Sequence, residues 1–232
     1  MTRVTAAKVL KSPRALSAGA GLALYGSLGL ADRSNALRGP DRAVRRIVGP
    51  KRSKAMTNIA RGITSMAAPH VHPIVAGALA LAVGRLRGRG APSIVFASLA
   101  VTGLDKLSRM AVHQKRPRKA ARHKGLDRYA YPSGHTCAMT AIGVAAASEF
   151  SEIATPEMTA IAWTIVATTS LAVGWSRLYL DEHWLDDVVG GWSAGMGLGV
   201  GAVTLADRLF PGGADSRAFN PTRRHKLTYQ FP

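Results

Sequence analysis

Three stretches hold the side chains with chemical potential: Arg109-Met-Ala-Val-His-Gln-Lys-Arg116-Pro117, then Pro132-Ser133-Gly134-His135, then Ser176-Arg177 followed by His183 and Asp187. They supply His135 and His183, the carboxylate of Asp187, three arginines, and a serine beside a glycine. His183 and Asp187 are four residues apart, so on a helix they share a face, and the carboxylate can hold one imidazole nitrogen. The other nitrogen is then free and more nucleophilic. Arg177 carries a planar donor fork that suits phosphate oxygens. Gly134 permits close backbone approach by a ligand. The Ser133 hydroxyl and the first amides of the helix that follows can donate to an anion, and His135 then stands beside it as a proton donor. Arg109 and Arg116 are about two helical turns apart, with Pro117 ending the region. Such a kit can grip a phosphoryl group and transfer it to a histidine.

Each part also has a plainer reading. A His-x-x-x-Asp is often a surface pair, Ser133 an ordinary N-cap, and arginines at a membrane surface snorkelling anchors. The occurrence of all three stretches in this order in one chain favours a common site.

The elements that must position these residues are uncharged apolar runs. Met158 to Ser176 and Val188 to Ala206 contain no charge, and each approaches the roughly 20 residues needed to cross a bilayer core. Ala15 to Ala31 and Gly90 to Leu104 are also uncharged, while Val71 to Gly84 and Thr136 to Ser148 are shorter and have a soluble-core alternative. The expected fold is all-α: a membrane bundle of six helices near 15–31, 71–86, 91–110, 135–150, 157–176 and 185–209. On this plan the third span ends, the fourth begins, the fifth ends and the sixth begins at one membrane face, so the three stretches meet there. Gly191, Gly195 and Gly199, four apart, predict close helix approach in the last span.

The remainder is basic. The chain of 232 residues has 31 Lys plus Arg against 13 Asp plus Glu, a net charge of +18. That excess calls for an anionic partner: nucleic acid, an anionic membrane surface or a phosphorylated substrate. The basic residues lie in loops between apolar runs, and no nucleic-acid motif accompanies them, which disfavours nucleic acid. Residues 1–14 are read as a basic N-terminal segment before a retained first helix, 15–209 as one membrane domain, and 210–232 as a flexible tail. Within the basic insert 32–70, Met56, Ile59, Ile63 and Met66 recur at helical spacing, so 55–68 is read as an interfacial amphipathic helix on anionic headgroups or as a solvated loop with a helical turn. The single cysteine, Cys137, sits in an apolar run and is expected to be a buried core residue.

The chain resembles the type 2 phosphatidic acid phosphatase superfamily, which also includes vanadium haloperoxidases and bacterial acid phosphatases. The family signature is Lys-x6-Arg-Pro, Pro-Ser-Gly-His and Ser-Arg-x5-His-x3-Asp. The last two parts match fully; the first matches with Arg109 in place of lysine, and Lys115 or Lys106 stands nearby as a substitute. The resemblance covers about residues 71–209. It implies that His183 is the nucleophile, Asp187 its orienting partner, and His135 the acid and then the base. Arg109, Arg116, Ser133, Gly134 and Arg177 are implied as phosphate ligands. It implies no metal and no cofactor.

The implied activity is hydrolysis of a lipid phosphate: a polyprenyl phosphate or diphosphate, a polyprenyl-linked phosphosugar, phosphatidic acid or phosphatidylglycerophosphate. Three alternatives stand beside it. The acid-rich Asp181-Glu182-His183-Trp-Leu-Asp186-Asp187 would suit a metal-dependent prenyl- or phosphatidyl-transferring enzyme. The same pocket could hold vanadate for oxidation. A structural membrane protein with a decayed site would not need His135, His183 and Asp187. The Ala-, Gly- and Arg-rich composition points to a GC-rich bacterial genome, and the expected location is the plasma membrane. The positive-inside rule, applied to the basic insert and the 115–128 loop, leans the site to the cytoplasmic face.

Overall fold

The structure is a computed structural model, and it describes residues 13–33, 37–48, 52–88, 90–117 and 128–211. Expectations for residues 1–12, for 118–127 in the basic loop, and for 212–232 lie outside these. Eight helices are described: α1 Pro13–Arg33, α2 Arg38–Val48, α3 Lys54–Ser65, α4 His72–Arg87, α5 Pro92–Ala111, α6 Gly134–Phe150, α7 Pro156–Tyr179 and α8 Leu185–Leu209. No strand occurs among the described residues, and one isolated bridge joins Lys115 to Tyr129.

All six expected spans are helices, displaced by three residues or fewer at either end. Their limits follow from local chemistry. Pro92 and Pro156 stand in the first turns of α5 and α7, where a missing N–H costs nothing. The Thr155 side chain caps α7 by accepting from Met158 N. Gly88 ends α4 with φ +65°. By length and apolar composition, α7 and α8 are the two described helices suited to cross a membrane.

Two further helices fill the basic insert. α3 realises the helical pattern around 55–68, capped by Ser53. α2 was not expected from the sequence. It is a polar helix whose one buried side chain is Asp41.

The core is built on α6 and α8. A Cβ on Gly191 would come within 2.8 Å of Ser133 O, one on Gly195 within 2.8 Å of Cys137 O, and one on Gly199 within 2.8 Å of Ala141 O. The glycine stripe therefore lets the α8 backbone lie directly against α6. On its other side α8 meets α1, where a Cβ on Gly21 would come within 2.7 Å of Ser193 O. Arg14 at the start of α1 pairs with Asp207 near the end of α8 at 2.9 Å, so the two run antiparallel. Cys137 is buried and free, as its apolar run implies. The ends of α4, α5, α6, α7 and α8 alternate, so residues 112–117, 128–133 and 180–184 lie on one face with the starts of α4, α6 and α8.

Candidate active site

His183 stands on the short connection between α7 and α8 and is 4% exposed. Its Nδ1 lies 3.1 Å from Asp187 Oδ2, and the same oxygen accepts the Trp184 amide at 2.8 Å. Asp187, in the first turn of α8, thus caps its helix and fixes the imidazole with one atom. His183 Nε2 faces Arg116 Nη1 at 2.9 Å, and that nitrogen also donates to Glu182 O at 2.8 Å. Burial, then the charges of Arg116, Arg177, His135 and Arg109, hold the His183 imidazole well below the usual histidine range. It is therefore neutral at pH 7, with Nε2 unprotonated when Nδ1–H donates to Asp187.

Arg116 is placed by the chain on either side of the 118–127 loop. Ala130 N donates to Gln114 O at 2.9 Å beside the Lys115–Tyr129 bridge, which pins the loop's ends together. Trp184 Nε1 donates to Lys115 O at 2.9 Å, tying that ribbon to the His183 connection.

The Pro-Ser-Gly-His stretch is joined to the third stretch through the backbone. Ser133 N donates to Asp187 O at 2.9 Å, which sets the start of α6 against the start of α8. Ser133 is fully buried, and its Oγ accepts from Thr136 Oγ1 at 2.9 Å. The amides of Gly134, His135 and Thr136 open α6 and have no intrahelical acceptor, as at any helix start. Arg177, 2% exposed, directs one Nη at Thr64 Oγ1 at 2.9 Å and the other at the Glu182 carboxylate.

The structure thus brings all eight residues singled out from the sequence to one face: His183, Asp187, His135, Arg109, Arg116, Ser133, Gly134 and Arg177. Arg109 is the least committed to the centre. Its fork binds Asp105 bidentately at 2.9 and 3.0 Å. Asp105 also lies against Gly134, where an added Cβ would be 3.1 Å from its Oδ1.

Four participants were not assigned these roles from sequence. Asp105 sits one turn before Arg109, a spacing that does predict the pair. Glu182 occupies the Arg177 fork. Asp41 and Arg45 of α2 hold the His183 connection from above. Asp41 Oδ1 accepts the Asp186 amide at 3.2 Å, and Arg45 binds Asp181 through Nε at 2.8 Å and Nη2 at 2.9 Å. Asp181 is 2% exposed and has φ +61°, a left-handed backbone that aspartate tolerates better than most residues.

The acid-rich run considered as a metal site therefore diverges: Asp181 faces Arg45, Glu182 faces Arg177, Asp186 takes Gln114 Nε2 at 2.8 Å, and Asp187 faces His183. Among the described residues no three His, Cys, Asp or Glu side chains are grouped to hold a metal ion. His72 Nδ1 meets Ser98 Oγ at 3.0 Å.

No curated protein matches the chain. The fold is similar to the crystal structure of the first transmembrane PAP2 type phosphatidylglycerolphosphate phosphatase from Bacillus subtilis, with a TM-score of 0.71 over 82% of this chain and 97% of that one. Identity is 20%, so the likeness is one of fold. A family model described as the PAP2 superfamily matches residues 91–211. That span is more than half the chain, runs from α5 through α8 and contains every site residue from Arg109 to Asp187; the chain belongs to the PAP2 superfamily, the type 2 phosphatidic acid phosphatases.

Proposed function

We propose that the protein is a membrane lipid phosphatase that hydrolyses a phosphomonoester or diphosphate through a phosphohistidine, without a metal or cofactor. The observation that carries this reading is the buried, neutral His183, held at Nδ1 by Asp187 and facing an arginine at Nε2. The Nε2 lone pair attacks phosphorus in line. The bond from phosphorus to the lipid oxygen breaks, and His135, which takes up a proton from solvent as the phosphate anion binds among the arginines, gives that oxygen its proton, releasing the lipid alcohol, or the lipid monophosphate from a diphosphate. Neutral His135 then takes a proton from water, the hydroxide attacks phosphorus, the P–N bond breaks, and inorganic phosphate leaves. Arg116, Arg177, Arg109, the Ser133 hydroxyl and the Gly134 amide hold the equatorial oxygens, where fixed donors in a dry site stabilise developing charge most. The substrate candidates are polyprenyl phosphate or diphosphate, a polyprenyl-linked phosphosugar, phosphatidic acid and phosphatidylglycerophosphate.

In this reading α1 and α4 to α8 span the membrane, and α2 and α3 lie at its surface. Support comes from the two long apolar helices and from exposed Leu16, Leu30, Ile74, Leu81, Leu99 and Leu107 on the others. Exposed Met56, Ile59 and Met66 on α3 suit contact with anionic lipid headgroups. The basic insert leans the site to the cytoplasmic face of a bacterial plasma membrane. A cysteine introduced at exposed Arg42 then resists an impermeant thiol reagent in intact cells; ready labelling would reverse the orientation.

The test of the activity is phosphate release over that lipid panel by the purified protein in EDTA. His183→Ala is expected to lower release roughly 10³-fold or more. Near-normal release by His183→Ala, or loss in EDTA restored by Mg²⁺, would overturn the mechanism.

A further inference from the structure

Residues 114–116 run antiparallel to the connection that carries His183. Gln114 Nε2 donates to Asp186 Oδ2 at 2.8 Å, and Trp184 Nε1 to Lys115 O at 2.9 Å. Arg116 Nη1 donates to Glu182 O at 2.8 Å while facing His183 Nε2 at 2.9 Å. As the ribbon advances from 114 to 116, its partners step back from 186 to 182. The ribbon is extended, so Gln114 and Arg116 point to one side and Lys115 to the other. Burial follows that alternation, with Lys115 exposed and Arg116 buried. Two side-chain rungs therefore stand next to each other, Gln114 on Asp186 and Arg116 on His183.

The first rung is where register is decided. A slip of one residue moves an extended chain by about 3.3 Å and turns its side chains to the opposite face. The bridge from Lys115 to Tyr129 and the Ala130 N to Gln114 O bond hold the ribbon to 128–130, not to α8. The Trp184 contact uses a main-chain oxygen, which any residue at 115 supplies. The Gln114 rung is a pair of side chains and so is specific to its two residues.

Asp186 is itself fixed. It is buried in the first turn of α8, its Oδ1 accepts the Asp187 amide at 2.8 Å, and its own amide donates to Asp41 Oδ1 at 3.2 Å. Consecutive carboxylates thus serve the two sides of one imidazole. Asp187 holds Nδ1 directly, and Asp186 reaches the Nε2 side through Gln114 and Arg116.

We propose that Gln114 and Asp186 are positioning residues for the phosphatase reaction, a role that rests on that reading of the site. Their hydrogen bond pins the ribbon in the register that places the Arg116 guanidinium at His183 Nε2, where phosphorus is to be bonded. A cap on α8 needs only the Asp186 oxygen that accepts the Asp187 amide; the other oxygen is spent on the ribbon. The two functions are therefore separable at Gln114, whose side chain takes no part in the cap.

The test uses the full-length protein in nanodiscs, assayed at pH 8 for phosphate release from the lipid panel above. Gln114→Glu sets a carboxylate against Asp186. It is expected to lower kcat/KM about 10- to 100-fold, mainly in kcat, since a misplacement of about 1 Å can cost that much. In Gln114→Glu/Asp186→Asn the new amide donates to the new carboxylate, and its oxygen still accepts the Asp187 amide. That double variant is expected to return kcat/KM to within about threefold of the unaltered protein. Gln114→Ala is expected to cost about tenfold alone, but less than about twofold on top of Arg116→Ala, because it acts through that arginine. A readout without hydrolysis is carbethoxylation of His183 by diethyl pyrocarbonate, located by mass spectrometry. It is expected to be several-fold faster in Gln114→Glu, where Arg116 no longer covers Nε2, and to return to its starting rate in the double variant. Full additivity of Gln114→Ala with Arg116→Ala would overturn the pin and leave the phosphatase reading. So would a double variant that folds but stays as slow as Gln114→Glu. Carbethoxylation that follows the pin, with no panel lipid hydrolysed by any form, would remove the phosphatase reading and leave the pin. Should the double variant fail to fold, the Gln114→Ala and Arg116→Ala cycle decides alone.

Discussion

Arg116 Nη1 lies 2.9 Å from His183 Nε2, the nitrogen that the Asp187 contact leaves unprotonated. The guanidinium thus caps the lone pair of the proposed nucleophile in the resting site. A phosphoryl group entering between them offers oxygens as new acceptors, so the arginine can release the imidazole and bind the substrate in one exchange.

Arg116→Ala tests which half of that exchange dominates. If Arg116 only capped the nucleophile, its loss would raise activity. The expected result is a fall in kcat/KM of roughly 100-fold, because a fixed donor for developing negative charge is lost. Arg116→Lys should recover only part, since a point charge lacks the planar fork. Steady-state phosphate release on the two variants reads the difference.

Glu182 lies on the Arg177 fork, the position proposed for a substrate phosphate. An anionic substrate must displace it. Glu182→Gln is expected to lower KM about threefold to tenfold with kcat within about twofold, as the competing interaction weakens from a charge-assisted to a neutral hydrogen bond. An unchanged or raised KM would mean that Glu182 holds Arg177 in place rather than competing with substrate.

Arg45 and Asp181 clamp α2 onto the His183 connection. Removing only Arg45 leaves a buried carboxylate with Arg52 as its remaining cation, at 3.8 Å. Arg45→Ala is expected to cost about 2 kcal/mol, below the usual range for breaking a buried pair because Arg45 is partly exposed. The double variant Arg45→Ala/Asp181→Gly is expected to regain most of that. It removes the stranded charge, and glycine accepts φ +61° without strain. Thermal unfolding in detergent on the single and double variants completes the cycle; full additivity would deny the coupling.

The depressed His183 pKa sets a pH dependence of stability. The unfolded imidazole takes up a proton near its ordinary value of about 6.5, while the folded one does so only well below it. In that window the unfolded state binds more protons, so stability is full above about pH 6.5 and falls as pH drops, by up to about 1.4 kcal/mol per pH unit. The melting temperature of the protein should decline over this range more steeply than that of His183→Asn.

The helices that carry the site were legible because their signals are local. Uncharged runs that end at Asp32 and Arg85, and prolines at 92 and 156, mark α1, α4, α5 and α7, and the glycine spacing of α8 foretold its approach to α6. The grouping of His135, His183 and Asp187 followed from the alternation of helix ends. α2 was not legible. Its eleven residues hold four arginines and scattered apolar residues, and what holds it is a contact between Asp41 and an amide 145 positions away.

The sequence by itself singled out the residues proposed to carry the chemistry, because family signature, helix periodicity and chain order are properties of short stretches. The tertiary structure decided what those residues touch. It set Asp105 on Arg109, Glu182 and Thr64 on Arg177, and Arg116 on His183. Each of these depends on helices far apart in the chain meeting at one face, and side-chain pairing between them is fixed by packing, which no local pattern encodes.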